Sequence, residues 1–275
     1  MTQRTILITG CSSGIGYAAA HALRNRGWRV FAACRQREDC ERLQTEGFDS
    51  PQLDYEDEAS IQKALDEVLA ATGGRLDALF NNGAYAIPGA TEDLPTEALR
   101  RIFEANFFGW HSLTRAVLPV MRAQGQGRIV QCSSVLGLVT MPWRGAYNAT
   151  KFALEGLTDT LRMEMKGTGI DVILIEPGPI TSDFRKNSIK QFERWINWQQ
   201  SARSDQYEKQ LRPRLYASVA KAKFELGPEA VIAKLVQALE SPRPRPRYYV
   251  TFPTYLSAFM RRVLPTRALD RLLGG

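Results

Sequence analysis

Tyr147 and Lys151 stand four positions apart, a spacing that puts both side chains on one face of a helix, with Cβ atoms about 5–6 Å apart. A phenol titrates near pKa ~10 and is a poor base at neutral pH. A neighbouring ammonium stabilises the phenolate and lowers that value. Such a pair can give a proton when a carbonyl is reduced, or take one when an alcohol is oxidised. Amphipathic helices also produce Tyr-x-x-x-Lys by chance, so the weight of the pair depends on its company. That company is Ser133-Ser134, closing the apolar run 127–132. The carboxyl ends of strands are where an open α/β sheet receives its ligand.

A second constellation lies near the amino end. After the apolar run 5–9 comes Thr9-Gly10-Cys11-Ser12-Ser13-Gly14-Ile15-Gly16, opening a helix. Glycines there allow a tight turn and close approach of the backbone to a pyrophosphate, and the helix start offers free N–H groups. The spacing is GxxxGxG, not the GxGxxG of the standard dinucleotide fingerprint, so its place at strand–turn–helix carries the argument. The next strand should reveal which dinucleotide is bound. An NAD site needs a carboxylate near its end for the ribose 2′-hydroxyl. Here Val30-Phe31-Ala32-Ala33 runs into Cys34-Arg35, with no acid and one guanidinium suited to a 2′-phosphate. The expectation is NADP(H), with Arg35 as the phosphate ligand and Arg37 next in line.

The elements that must position these groups alternate. Strands are expected over 5–9, 28–33, near Leu53, 76–80, 127–132, 170–175 and 247–250. Helices are expected over 15–26, 38–46, 58–71, 99–122 and 149–166. Strands alternating with helices of this length give βαβ units, and apolar runs without polar alternation suit strands covered on both faces. The fold class is α/β: a Rossmann-type, doubly wound, mostly parallel sheet with helices on both faces, in one domain over 1–275. Within it, 1–178 would form the cofactor-binding and catalytic core. The irregular stretch 179–226 would be a substrate lid, and 251–275 a basic, amphipathic, helical C-terminal extension.

Composition removes other classes. The chain has 275 residues, 44% apolar and 24% charged, with 21 glycines, 14 prolines and 4 cysteines. That excludes collagen-like, disordered and disulfide-scaffold chains. There is no apolar run long enough to span a bilayer, and MTQRTILITG does not read as a secretory leader. The expected compartment is the cytoplasm. Cys11, Cys34, Cys40 and Cys132 show no metal spacing and read as reduced thiols. His21 and His111 sit in apolar helical contexts and read as structural, so no metal is expected. The net charge of +7 is local: from Ala202 onward there are 14 Lys and Arg against 6 Asp and Glu. Without interleaved aromatics this excess does not read as a nucleic-acid site. A solvated basic face is the plain reading, and contact with an anionic membrane surface the sharper one.

Taken together, Thr9-Gly10-x-x-x-Gly14-x-Gly16, Asn81-Asn82-Gly83-Ala84, Asn106, Ser134, Tyr147-x-x-x-Lys151 and Pro177-Gly178 occur in an order that resembles the short-chain dehydrogenase/reductase family. The resemblance implies roles. Ser134 would polarise the substrate carbonyl and Tyr147 deliver the proton. Lys151 would bind the nicotinamide ribose and depress the phenol, and Asn106 would hold a water linked to Lys151. Gly10, Ser12, Ser13, Gly14, Ile15 and Gly16 would cradle the cofactor, Asp54 would contact the adenine, and Asn82 and Gly83 would line the cofactor. The backbone from Pro177 and Gly178 to Thr181 would clasp the carboxamide. The usual Asn-Asn-Ala-Gly is altered at Gly83-Ala84; if the fourth position needs φ > 0, alanine is strained there.

The branch it resembles, akin to hydroxysteroid and retinol dehydrogenases, implies an NADP-dependent reductase of apolar aldehydes or ketones. The reverse oxidation of a retinoid- or steroid-like alcohol is one alternative, and a noncatalytic NADP-binding scaffold another. Leu136, Leu138, Met141, Pro142, Trp143, Trp195 and Trp198 either wall an apolar pocket or pack the core. The resemblance also implies a homo-oligomer, dimer or tetramer, paired through the helices at 99–122 and 149–166. The tail 255–273 spaces apolar and basic residues as a helix would, for a membrane surface, the enzyme body or a second subunit.

Overall fold

The computed structural model describes residues 3–217 and 224–274. Residues 218–223 of the expected lid, and the chain ends 1–2 and 275, lie outside them. Six strands form one parallel sheet: β1 (Thr5–Thr9), β2 (Arg29–Ala33), β3 (Ala78–Asn81), β4 (Gly127–Cys132), β5 (Ile170–Glu176) and β6 (Arg247–Tyr249). Their order is β2-β1-β3-β4-β5-β6. The chain therefore winds outward in both directions from β1 and β3, leaving a crevice beyond their carboxyl ends. Every residue of β1 and β3 is buried, which is why these strands read as unbroken apolar runs.

Helices α1 (Gly14–Asn25), α2 (Arg37–Thr45), α3 (Glu58–Thr72), α4 (Thr96–Phe103), α5 (Gly109–Gln124) and α6 (Gly145–Glu164) connect the first five strands. The stretch 179–226 holds α7 (Phe184–Trp195) and two short pieces, α8 (Ser204–Gln206) and α9 (Arg212–Tyr216). Then come α10 (Glu229–Glu240), α11 (Phe252–Val263) and α12 (Thr266–Gly274). Helix α10 packs on α1 while α3 packs on α5, and β5 is contacted by both α6 and α10.

Two local expectations are corrected. No third strand joins the sheet near Leu53; that stretch makes only isolated bridges, Phe31 to Asp49 and Cys34 to Gln52. Pro51 lies between them and has no N–H to extend a ladder. The helix expected over 99–122 is interrupted by a π turn over Glu104–Phe108. Immediately after it, a Cβ on Gly109 would lie 2.4 Å from the Tyr55 carbonyl oxygen. That close approach accounts for glycine where α5 begins. The wide turn aims Asn106 inward, as π turns at functional sites often do.

Candidate active site

The glycine turn sits at the switch point. Gly10 and Gly14 hold φ of +68° and +58°, which L side chains rarely adopt. A Cβ on Gly10 would fall 2.5 Å from the Cα of Gly83, and one on Gly16 would fall 2.3 Å from the Gly10 carbonyl. Gly10 is thus pressed against Gly83, which explains glycine at position 10, while a Cβ on Gly83 would lie 3.3 Å from Gly10, a tight fit. Ala84 is not strained, since the only described non-glycine residues with positive φ are Trp143 and Phe224. Thr9 ties the two turns: its hydroxyl accepts the N–H of Asn82 (2.9 Å) and of Gly83 (3.3 Å). The Asn82 amide donates to the Thr9 carbonyl at 3.0 Å.

Ser13 occupies the N-cap of α1, yet its side chain makes no capping bond, so the first N–H groups of the helix face outward uncapped. Ile15 packs partly against the core, and the Ser12 carbonyl accepts from Arg42 at 2.7 Å. Arg35 is exposed just beyond β2 and forms no ion pair among the described residues. Arg37, in contrast, pairs with Glu41 at 2.9 Å. Asp54 is half-buried, with its carboxylate accepting the N–H of Glu56.

At the carboxyl ends of β4 and β5 the reacting groups converge on α6. Tyr147 lies in the first turn of α6 and Lys151 one turn on, both buried. Ser134 lies close enough to the phenol to favour its charged form, and its own hydroxyl accepts the N–H of Leu136 at 3.1 Å. Lys151 is 1% exposed. Its Nζ donates to the Cys132 carbonyl at 2.8 Å and lies over the Trp110 ring, 4.2 Å from its centroid. An ammonium has three donors, so further acceptors can be taken. Asn106 is fully buried; its amide brackets the backbone of Tyr85, donating to the carbonyl at 2.8 Å and accepting the N–H at 3.1 Å.

The electrostatics refine the expectation drawn from spacing. Burial, and then Cys132, push the Tyr147 phenol above its ordinary value, with Ser134 and the Arg144 charge pulling the other way. The Lys151 ammonium, 5.6 Å from the phenol ring centroid, is itself drawn down to about 8 by burial. The chain alone therefore keeps the tyrosine protonated at neutral pH. Arg144, one turn before Tyr147, is half-buried and has no ion pair among the described residues. Neither it nor its charge was visible in the motif spacing.

Beyond the phenol lies a second apolar cluster, separate from the sheet core. Tyr147 joins Ile87, Phe192, Ile196, Tyr207 and Leu211 there. Phe184 meets the Tyr147 ring edge-on at 5.3 Å. Of the residues expected to wall a pocket, Leu136, Trp143, Trp195 and Trp198 pack against this cluster. Leu138 lines a separate groove with Arg247, and Met141 and Pro142 are exposed. Two residues not singled out in the sequence fasten the cluster. Tyr207 is wholly buried and stacks on Trp143 at 4.9 Å. It also donates to Asp93 at 2.7 Å and accepts the N–H of Ala90 at 2.8 Å. Trp143 holds φ of +64°, a strained turn that brings 143–144 beside Gly89.

The segment after β5 links the two halves. The Pro177 carbonyl accepts the N–H of Val135, joining β5 to the serine loop. A Cβ on Gly178 would lie 2.0 Å from Thr251 Oγ1. The Thr181 N–H donates to the Leu226 carbonyl and its hydroxyl to Glu225, so Thr181 ties the segment after β5 to 225–226. A positive-φ glycine turn, uncapped helical N–H groups and spare donors on Lys151 are suited to a dinucleotide's phosphates and ribose. The residues present fit that group.

The model of the short chain dehydrogenase family matches residues 4–193. The uncharacterized oxidoreductase YbbO of Escherichia coli strain K12 is 42% identical over 273 residues, covering 99% of this chain and 95% of the relative. An NADPH-dependent 3-dehydrocapnine reductase of Ornithobacterium rhinotracheale is 30% identical, covering 98% and 96%. Among solved structures, a short chain dehydrogenase/reductase of Burkholderia phymatum in complex with NAD superposes with a TM-score of 0.78. It is 25% identical, and the match covers 99% of this chain and 96% of that one. A sheet wound from β1 and β3, a glycine turn at its switch point, a serine just after β4 and a Tyr–Lys pair on α6 agree with that match. The chain is an oxidoreductase of the short-chain dehydrogenase/reductase family.

Proposed function

We propose that the protein is an NADPH-dependent reductase that turns an apolar aldehyde or ketone into the alcohol. The observation that carries this reading is the site of Tyr147: a buried phenol close to Ser134 and set in an apolar cluster. When bound, NADPH supplies the hydride that reaches the carbonyl carbon. Ser134 holds the carbonyl oxygen and Tyr147 gives that oxygen its proton. Lys151 turns its free donors to the nicotinamide ribose, and Asn106 carries a water that returns protons through Lys151. Gly10, Ser12, Ser13, Gly14, Ile15 and Gly16 cradle the pyrophosphate. Asp54, Asn82, Gly83 and the backbone of Pro177 and Gly178 hold the two ends of the cofactor.

The same Tyr147 would serve as base in the reverse oxidation of a retinoid- or steroid-like alcohol, and the ratio of reduced to oxidised cofactor sets the direction. Arg35, without an ion pair among the described residues and placed beyond β2, supports NADPH over NADH, as does the NADPH-dependent relative. Exposed Phe108, Leu157 and Met163 on or beside α5 and α6 support pairing of subunits there. We place the enzyme in the cytoplasm. Initial rates with NADPH and NADH on aldehydes, ketones, retinals and ketosteroids test the reading. It expects NADPH-selective turnover of apolar carbonyls. Equal rates with NADH would remove Arg35 from its role. Cofactor binding without any turnover would favour a noncatalytic scaffold.

A further inference from the structure

Helix α11 is turned inside out relative to an ordinary surface helix. Its buried residues are Thr254, Ser257 and Ala258. Its large apolar residues, Phe252, Tyr255, Leu256, Phe259 and Val263, recur at intervals of three or four and form one stripe on the solvent side. Phe252 is 59% exposed and Phe259 62%. Single exposed apolar residues are normal on a protein surface, but a contiguous stripe marks an interaction site.

Charge indicates the partner. Arg261 and Arg262 close the last turn of α11, and Arg267 and Arg271 follow on α12, all exposed. None of the four forms an ion pair among the described residues, and Asp270 is the sole acid from 251 to the end. A helix with aromatic and aliphatic residues on one face and arginines close by is suited to lie in the headgroup region of an anionic bilayer. The stripe is also continuous with the catalytic half. The Phe252 ring meets that of Phe224, at the end of the lid segment, at 5.2 Å. Thr251 and Thr254, at the start of the same helix, close over Gly178.

We propose that the outward stripe of α11, with the arginines that follow it, docks this protein on an anionic lipid surface and brings the lid end to that surface. The docking does not depend on the substrate reading, since it can be measured without substrate. The test is flotation of the full chain with vesicles of phosphatidylglycerol and phosphatidylcholine, and with vesicles of phosphatidylcholine alone. We expect binding to the anionic vesicles that falls at least tenfold on neutral ones and weakens with added salt. Phe259→Ser/Val263→Ser and Arg262→Glu/Arg267→Glu should each reduce it at least tenfold. Thermal melts and NADPH fluorescence should match those of the parent protein, which separates lost docking from lost folding. The proposal fails if the parent chain does not float with anionic vesicles, or if the Phe259→Ser/Val263→Ser variant floats as well as the parent. It also fails if sedimentation shows a dimer that this variant dissociates, because the stripe would then be covered by a second copy.

Discussion

Helices α6 and α11 are opposites. Helix α6 buries polar groups, Tyr147, Asn148, Thr150, Lys151 and Glu155 among them, while α11 buries small residues and exposes aromatic ones. Burying a polar group costs free energy unless a partner meets it. On α6 several partners are present: the Cys132 carbonyl and Trp110 ring for Lys151, the Tyr147 carbonyl for Thr150 and Arg247 for Glu155. On α11 the rings of Phe252 and Tyr255 touch Phe224 and Tyr249, yet all five residues of the stripe stay exposed. On the readings proposed above, the contrast separates a helix that serves a reaction inside the molecule, α6, from one that serves a surface outside it, α11.

The sharpest way to break that contrast is Tyr147→Phe. Removing the proton donor should lower turnover by about 10²- to 10⁴-fold, the usual worth of general acid catalysis. NADPH affinity, read by fluorescence, should change less than twofold. Substantial residual turnover would take Tyr147 out of the reaction. Arg35→Asp comes next: loss of a charge-assisted contact worth about 1.5–3 kcal/mol should weaken NADPH by roughly 10- to 100-fold and narrow the preference over NADH. An unchanged preference would move the phosphate site to Arg37.

A pH profile probes the buried ammonium. Burial disfavours the charged form of Lys151 and draws its pKa to about 8, so the charge is present below that pH and lost above it. If that charge binds cofactor, kcat/KM for NADPH should decline above about pH 8, towards tenfold per unit, with Lys151→Arg moving the decline upward. A flat profile to pH 10 would assign Lys151 a purely packing role. Stability offers a gentler comparison. Leu154→Ala on the inner face of α6 should cost about 2–5 kcal/mol through the cavity it leaves. Phe259→Ser on α11 should change stability by no more than about 0.5 kcal/mol. Denaturant titration of the two variants measures both, and a costly Phe259→Ser would mean that the stripe is packed after all. The smallest effect is expected at Ala84→Gly: with no positive φ at Ala84, turnover should stay within severalfold, and a hundredfold change would show a tuned loop.

Much of the catalytic half was legible because its signals are local. A glycine turn after a strand, Tyr-x-x-x-Lys on one helical face and a serine at a strand end each fix geometry within a few residues. The sheet then brings them together, since all lie at carboxyl ends of parallel strands. What escaped the sequence depends on contacts between distant segments. Spacing could not show that Tyr207 fastens to Asp93, more than a hundred positions earlier. Nor could it show that Trp143 adopts φ of +64° or that a π turn aims Asn106. Periodicity showed that the tail was amphipathic, but not which face would turn outward. That depends on Thr251 and Thr254 fitting closely over Gly178, a contact no window along the chain contains. The effect of Lys151 on Tyr147 was likewise read from proximity, whereas burial decides both values.

The central claim is that a hydride reaches an apolar carbonyl carbon while Tyr147 protonates the oxygen. Its most direct test is reduction of a long-chain aldehyde with NADPH deuterated at the transferable C4 position, followed by mass spectrometry of the alcohol. The account predicts one deuterium on the carbinol carbon with the parent enzyme and at most a trace of labelled alcohol with Tyr147→Phe. Unlabelled alcohol from the parent enzyme, or equal labelled product from both proteins, would contradict it.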